Sequence, residues 1–163
     1  MIRKSTTQDR ERIEELMNIC FGDKDFEAYE NLENRYYLYI VNNEIVAMTG
    51  ITYANDYKGL EIAWTCTHPK HRHKGYMQEL FTEMLKDFTK DVYCSCWRIA
   101  DKDRANLQTI MEMFGFEKVV DTRTHWKRPY NCFRENKNNC VYHHENCECY
   151  EDLYLRRYKK DSK

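Results

Sequence analysis

Residues 59–97 run as a short apolar strand, a basic turn, a helix and a second strand, and that order constrains the fold more than any other feature of the chain. Two strands joined through a helix share a sheet only if the chain crosses back over it, which makes the pair parallel and the crossover right-handed. Met77, Leu80, Phe81, Met84, Leu85 and Phe88 fall at i, i+3, i+4, i+7, i+8 and i+11, one apolar stripe at helical period. DVYCSCW, residues 91–97, is the strand that follows.

The remaining elements are punctuated by turn and cap residues. Met1 to Lys4 reads as a short strand. Thr6 and Asp9 then have capping-box spacing ahead of Ile13, Leu16, Met17 and Cys20, which keep helical period up to Gly22. YYLYIV (36–41), the pair Asn42-Asn43 and EIVAMTGITY (44–53) form a predicted β-hairpin. A turn near Asp56 to Gly59 leads into the strand at Glu61. Leu107, Ile110, Met111 and Phe114 mark a late helix stopped by Gly115. FEKVVDTRTHW and EDLYLRRY are two closing strands, separated by a polar, cysteine-bearing insert at about 130–149. DKDFEAYENLEN, between the first helix and the hairpin, is acidic and fits one or two short helical turns. The expected fold is α/β: a mixed, mostly antiparallel central sheet flanked by helices, in a single domain of 163 residues, large enough for a core without staples.

Lys and Arg total 26 against 27 Asp and Glu, so no global basic field attracts nucleic acid or an anionic membrane. MIRKSTTQDRERIEE has charges where a signal peptide needs an apolar stretch, and no segment approaches the length of a membrane span. A cytoplasmic protein is expected. The loop Lys70-His71-Arg72-His73-Lys74 stands out from this balanced background. It precedes Gly75, one of only five glycines, and the first turn of the following helix, whose N–H groups and positive dipole end favour an anion. A solvated basic rim on an ordinary strand-to-helix turn is the plainer alternative.

Arg72-His73-Lys74-Gly75-Tyr76-Met77 resembles the signature of the GNAT superfamily of acetyl-coenzyme-A-dependent N-acyltransferases: Arg or Gln, two residues, Gly, one residue, Gly or Ala. Arg72 and Gly75 match, and Met77 stands at the small position. The likeness spans nearly the whole chain, from the strand before Pro69 to the late helix ending in Gly115-Phe116. It implies acetyl-CoA as cosubstrate. The pyrophosphate would lie on the backbone of Arg72, His73, Lys74, Gly75, Tyr76 and Met77. Thr65, Cys66 and Thr67 would pair with the pantetheine arm along a strand splayed from its parallel neighbour. Arg104 occupies the family's usual asparagine position on the late helix, which leaves Asn106, two residues on, as the candidate contact there.

Transfer to an amine needs the neutral amine, hence a general base. Glu61, eleven residues before Arg72, is spaced like the strand glutamate that is the base in the histone-acetylating branch of the family. A strand-edge carboxylate facing water is the competing reading. The family tyrosine that protonates the departing thiolate corresponds to Met111, which cannot donate a proton, so the acid is unassigned; Tyr93 and Tyr130 are nominal substitutes. Cys94 and Cys96 share one strand face and lack a histidine partner nearby, which fits packing better than nucleophilic catalysis. Cys132, Cys140, Cys147 and Cys149, with His143 and His144 between them, hold enough soft ligands for a structural zinc but lack paired C-x-x-C knuckles.

Two functions stand at this point. One is an N-acetyltransferase moving an acetyl group from acetyl-CoA to a primary amine of a small molecule, peptide or protein, by direct transfer in a ternary complex. The other is a non-catalytic module of the same fold that senses acyl-CoA or binds a protein. The acidic segment from Asp23 to Glu33 points to a cationic acceptor, against the plainer reading of a solvated helix face. Neither nucleic acid nor a membrane is an expected partner, and the protein is expected to act as a monomer or homodimer.

Overall fold

A computed structural model describes residues 1–21, 30–54, 58–98, 107–123 and 150–159. In chain order these form β1 (Ile2–Lys4), a 3-10 turn (Thr7–Asp9), α1 (Arg10–Phe21), β2 (Tyr36–Val41), β3 (Glu44–Ala54), β4 (Gly59–Thr67), a 3-10 turn (Pro69–His71), α2 (Tyr76–Met84), a 3-10 turn (Leu85–Asp87), β5 (Val92–Arg98), α3 (Gln108–Met113), β6 (Glu117–Arg123) and β7 (Tyr150–Arg156). The strands make one mixed sheet in the order β1-β2-β3-β4-β5-β7-β6, with β4 and β5 parallel. Two compact units divide the chain: Met1–Thr52 with Ile62–Asp87, and Tyr53–Glu61 with Phe88–Lys163.

In the first unit β1 pairs antiparallel with β2, Ile2 opposite Tyr39 and Lys4 opposite Tyr37, and β2 pairs with β3 through the Asn42-Asn43 turn. Both turn residues have positive φ, 47° and 65°, the conformation a two-residue hairpin needs and asparagine tolerates. One core joins Ile13, Leu16 and Met17 of α1 to Leu38 and Ile40 of β2, Ile45 and Met48 of β3, and Cys66 of β4. α2 buries Leu80, Phe81 and Met84 completely. The apolar period predicted through Phe88 continues as a 3-10 turn beyond Met84. That tighter turn still leaves Phe88 buried, so the hydrophobic stripe outlasts the α-helical hydrogen bonding. Of the acidic segment 23–34, residues 30–34 form a bend and turn without helix, Asn34 at φ 58°, and residues 23–29 of the helical turns expected there lie outside the described residues.

The entry into α1 is locked by charge. The Arg3 guanidinium forks onto Asp9 with two bonds of 2.7 Å, and the Thr6 N–H donates to the same carboxylate at 2.9 Å. With Asp9 only 2 % exposed, the Arg3 bonds outweigh burial and hold its pKa down from 3.8 to about 2. A depressed carboxylate stabilises the fold above its unfolded pKa, and that stability is lost as pH falls through the folded value. Melting temperature should therefore drop between pH 4 and 2. Asp9→Asn should cost about 2 kcal/mol at neutral pH and flatten this acid dependence; an acid profile unaltered by the substitution would remove Asp9 as its cause.

In the second unit β7 is the central strand of an antiparallel trio, pairing with β5 from Val92 opposite Arg156 to Arg98 opposite Tyr150, and with β6 on its other side. α3 ends in a Schellman motif. Phe116 N–H donates to Met111 C=O at 2.9 Å and Gly115 N–H to Glu112 C=O at 3.2 Å, with Gly115 at φ 74°. Cys94 and Cys96 are both 1 % exposed with sulfurs 3.8 Å apart, which is the packed arrangement expected of them.

Candidate anion-binding turn and active site

The turn between β4 and α2 is built to expose backbone N–H groups. His68 caps the 3-10 turn, its Nδ1 accepting from Lys70 N–H at 3.2 Å, while its own N–H is anchored to Val46 C=O at 2.8 Å. Arg72 Nε reaches back to Thr67 C=O at 3.3 Å. His73 at φ 62° and Gly75 at φ 82° then swing the backbone through the left-handed region. The first intrahelical bond is Glu79 N–H to Gly75 C=O at 3.1 Å. Helix geometry leaves the N–H groups of Tyr76, Met77 and Gln78 without intrahelical acceptors, and Gly75 has no side chain to cap them. A Cβ on Gly75 would meet nothing nearer than Gln78 Oε1 at 3.8 Å, so glycine serves the backbone conformation and the open space before the helix. Lys70, Arg72, His73 and Lys74 are exposed around it. Fixed N–H donors, a positive helix end and mobile cations together suit a phosphate.

The side chains behind this turn are aromatic. Tyr76 stacks on Tyr39 at 4.5 Å between ring centroids, and Tyr39 in turn donates its hydroxyl to Glu79 Oε2 at 2.8 Å. His71 packs edge-on to His68, 5.5 Å away. These contacts tether α2 to β2 at the residue that opens the helix. A groove of about 500 Å³ beside α2 is lined by Lys4, Tyr37, Tyr39, Glu79 and Asp87 among others. Its charges satisfy each other: Lys4 pairs with Asp87 at 2.8 Å and Tyr37 donates to Asp87 at 2.7 Å. It lacks the array of backbone donors found at the turn.

Two features had no warning in the sequence. Trp64, in the middle of β4, has φ 54°, a value rare for any side chain and costly for a bulky one. Its half-buried indole packs on the core, edge-on to Phe21 at 6.2 Å. The kink lies directly before Thr65, Cys66 and Thr67, the predicted strand edge. Thr65 Oγ1 shares a 2.7 Å hydrogen bond with Thr49, while the Cys66 side chain is buried in the core. The second feature is the Cys20 thiol on the last turn of α1, which packs against the core that contains Cys66. Hydrogen bonding from Cys66, aided by the Arg72 charge, lowers the Cys20 thiol pKa against the opposing effect of burial. Cys66 is pushed up by its bond to Cys20 and by burial.

Glu61 is half-buried on β4 and belongs to the second unit. Met111 is completely buried. Asn106, Arg104 and Tyr130 lie outside the described residues, as do Cys132, Cys140, Cys147 and Cys149; among the described residues no cluster of three metal-ligating side chains occurs.

The model of the Acetyltransferase (GNAT) family matches residues 6–116. The chain belongs to the GNAT acetyltransferase family. Acetyl transfer from acetyl-CoA to nitrogen is the general reaction of GNAT enzymes. Similar solved structures include a GNAT family acetyltransferase from Bacillus cereus, 15 % identical over 98 % of both chains with TM-score 0.68. The ribosomal-protein-S18-alanine N-acetyltransferase of Escherichia coli is 11 % identical over 100 % of this chain and 96 % of its own, also at 0.68. An aminoglycoside 6'-N-acetyltransferase complexed with coenzyme A is 8 % identical over 100 % and 99 %, again at 0.68. At such identities the likeness carries the fold alone. No curated protein sequence matches the chain. No helix among the described residues is long and apolar enough to cross a membrane.

Proposed function

We propose that this GNAT chain transfers an acetyl group from acetyl-CoA to a primary amine in a ternary complex. The observation that carries the reading is the left-handed Gly75 opening α2 behind exposed Arg72, His73 and Lys74. In this reading the N–H groups of Tyr76, Met77 and Gln78 hold the pyrophosphate. Arg72 and Lys74 neutralise its charge, and the backbone at Thr65, Cys66 and Thr67 pairs with the pantetheine arm just beyond the Trp64 kink. Glu61 takes a proton from the incoming ammonium, so that the neutral nitrogen can attack the thioester carbonyl; the C–S bond breaks and the electron pair leaves with the coenzyme A sulfur. The proton returned to that sulfur comes from a group other than Met111. Glu30 and Glu33, both exposed, are the described part of the acidic segment that favours a cationic acceptor. Asn106 is a further donor contact in this account, and the site of action is the cytoplasm.

The buried Met111, with no proton to donate, favours the second reading, a non-catalytic acyl-CoA sensor. Release of free thiol from acetyl-CoA across a panel of small amines and peptide N-termini separates the two. The transferase reading expects amine-dependent release, and binding of acetyl-CoA with no release above the solvent rate selects the sensor. Zinc on the cysteines between Cys132 and Cys149 is a separate structural proposal, decided by elemental analysis of protein purified without added metal: one zinc per chain supports it and none removes it.

A further inference from the structure

The kink at Trp64 inserts a residue into β4. Ala63 C=O faces Gly50 of β3, where a Cβ would lie 3.2 Å from it. Next along the pair, Thr65 Oγ1 bonds Thr49 Oγ1 at 2.7 Å, and further on His68 N–H donates to Val46 C=O at 2.8 Å. From the first contact to the second, β3 moves on by one residue and β4 by two; from the second to the third, both move by three. The extra residue is Trp64, at φ 54°, the left-handed conformation of a bulge whose first residue is usually glycine. Packing of the indole against Phe21 holds Trp64 itself, but it does not fix where β4 resumes its pairing. The bond made by the next residue does. We propose that Thr49 is a positioning residue of the transferase: its hydroxyl, bonded to Thr65, sets the register in which β4 leaves the kink, and with it the strand edge offered to the pantetheine arm.

Burial decides which hydroxyl donates. Thr49 is completely buried and Thr65 half-buried, and among the described residues the Thr49 hydroxyl has Thr65 as its partner. If Thr65 donated, the Thr49 proton would stand in the core without an acceptor, a costly state. Thr49 therefore donates, and Thr65 Oγ1 accepts while its own proton is left for water. Trp64 and Cys66 both pack on the core beneath α1, so alternation along the strand puts Thr65 on the opposite face of the sheet. The kink is thus fastened from both faces, by the indole on one and by the hydroxyl pair on the other.

The hydroxyl pair adds little to overall stability. Exchanging a buried hydroxyl for a methyl group of the same shape is nearly neutral when the partner left behind can reach water, so Thr49→Val keeps the fold. What it removes is the fixed point at which β4 re-joins β3, and a strand edge that wanders in register meets an extended ligand less well. One neutral hydrogen bond corresponds to about three- to tenfold in an equilibrium. The effect on the ligand, unlike the register itself, rests on the reading of the turn and the strand edge as the acetyl-CoA site.

The test titrates the full chain and its variants with two probes: acetyl-CoA, and adenosine 3'-phosphate 5'-diphosphate, the nucleotide of coenzyme A without its pantetheine arm. Thr49→Val should weaken acetyl-CoA binding about three- to tenfold and quicken amide exchange across residues 64–67 by a similar factor. Affinity for the nucleotide and the melting temperature should stay nearly unchanged. Thr49→Ser, which keeps the hydroxyl, should bind as the native chain does. Thr65→Val should match Thr49→Val, and the double variant should be no weaker than either, because Thr49 acts through Thr65. Equal affinity changes for both probes, a serine variant as weak as the valine one, or additive losses in the double variant would overturn the positioning role. A native chain that binds neither probe would refute the function proposed above and the ligand half of this inference. Amide exchange decides the register half without any ligand, and unchanged exchange in Thr49→Val would overturn it.

Discussion

Glu61→Gln lowers kcat by about 10²- to 10⁴-fold, the usual worth of a positioned general base, and leaves acetyl-CoA affinity nearly unchanged. The carboxamide keeps the size and planar shape of the carboxylate, so the half-buried position on β4 is filled as before. What it loses is the capacity to accept a proton from an ammonium. The acidic limb of the pH–rate profile should disappear with it, because that limb reports ionisation of the base. A loss confined to kcat marks an interaction made in the transition state, whereas a rise in KM alone would mark binding. Steady-state rates across pH for the two proteins are the check. An unchanged rate and profile would return Glu61 to an ordinary strand-edge carboxylate.

Gly75→Asn reduces acetyl-CoA affinity on the order of 10²-fold while the protein stays folded. Asparagine is chosen because it enters the left-handed region at lower cost than other side chains, and because the space around a Cβ at this position is open. Strain is therefore small, and the added group stands where the phosphate would approach. Its carboxamide competes for the N–H groups of the first turn of α2. Two charge-assisted hydrogen bonds lost at about 1.5 kcal/mol or more each account for the magnitude. Gly75→Val adds β-branched strain at φ 82° and should also lower the melting temperature, which separates backbone conformation from ligand exclusion. Full affinity in a folded Gly75→Asn protein would mean that the anion does not lie on this helix end.

Elements whose geometry depends on a few adjacent residues were legible in advance. Asn42-Asn43 announced the hairpin because two consecutive positive φ values admit few residue types. Gly115 announced the end of α3 for the same steric reason, and Thr6 with Asp9 announced the start of α1. The apolar stripe of α2 predicted the buried face correctly but not the change to 3-10 geometry after Met84, since period reports which side is buried and says little about hydrogen-bond pattern within the last turn. Trp64 could not have been foreseen: an indole is a poor choice for a left-handed residue, and only the surrounding packing holds it there. The packing of Cys20 against the core that contains Cys66 is likewise tertiary, produced by α1 docking on the sheet. Within the candidate site, the basic turn and Gly75 were readable from local chemistry. Glu61 was singled out by its spacing in a family resemblance, and its role stands on the variant described above.

The central claim is that the turn from Arg72 to Met77 holds acetyl-CoA. Calorimetric titration of acetyl-CoA into the reduced native chain tests it without reference to the acceptor amine. The account predicts saturable binding of one molecule per chain, competed by free coenzyme A and weakened on the order of 10²-fold in Gly75→Asn. A titration with no saturable heat at any accessible concentration, confirmed by the absence of a shift in melting temperature, would contradict it.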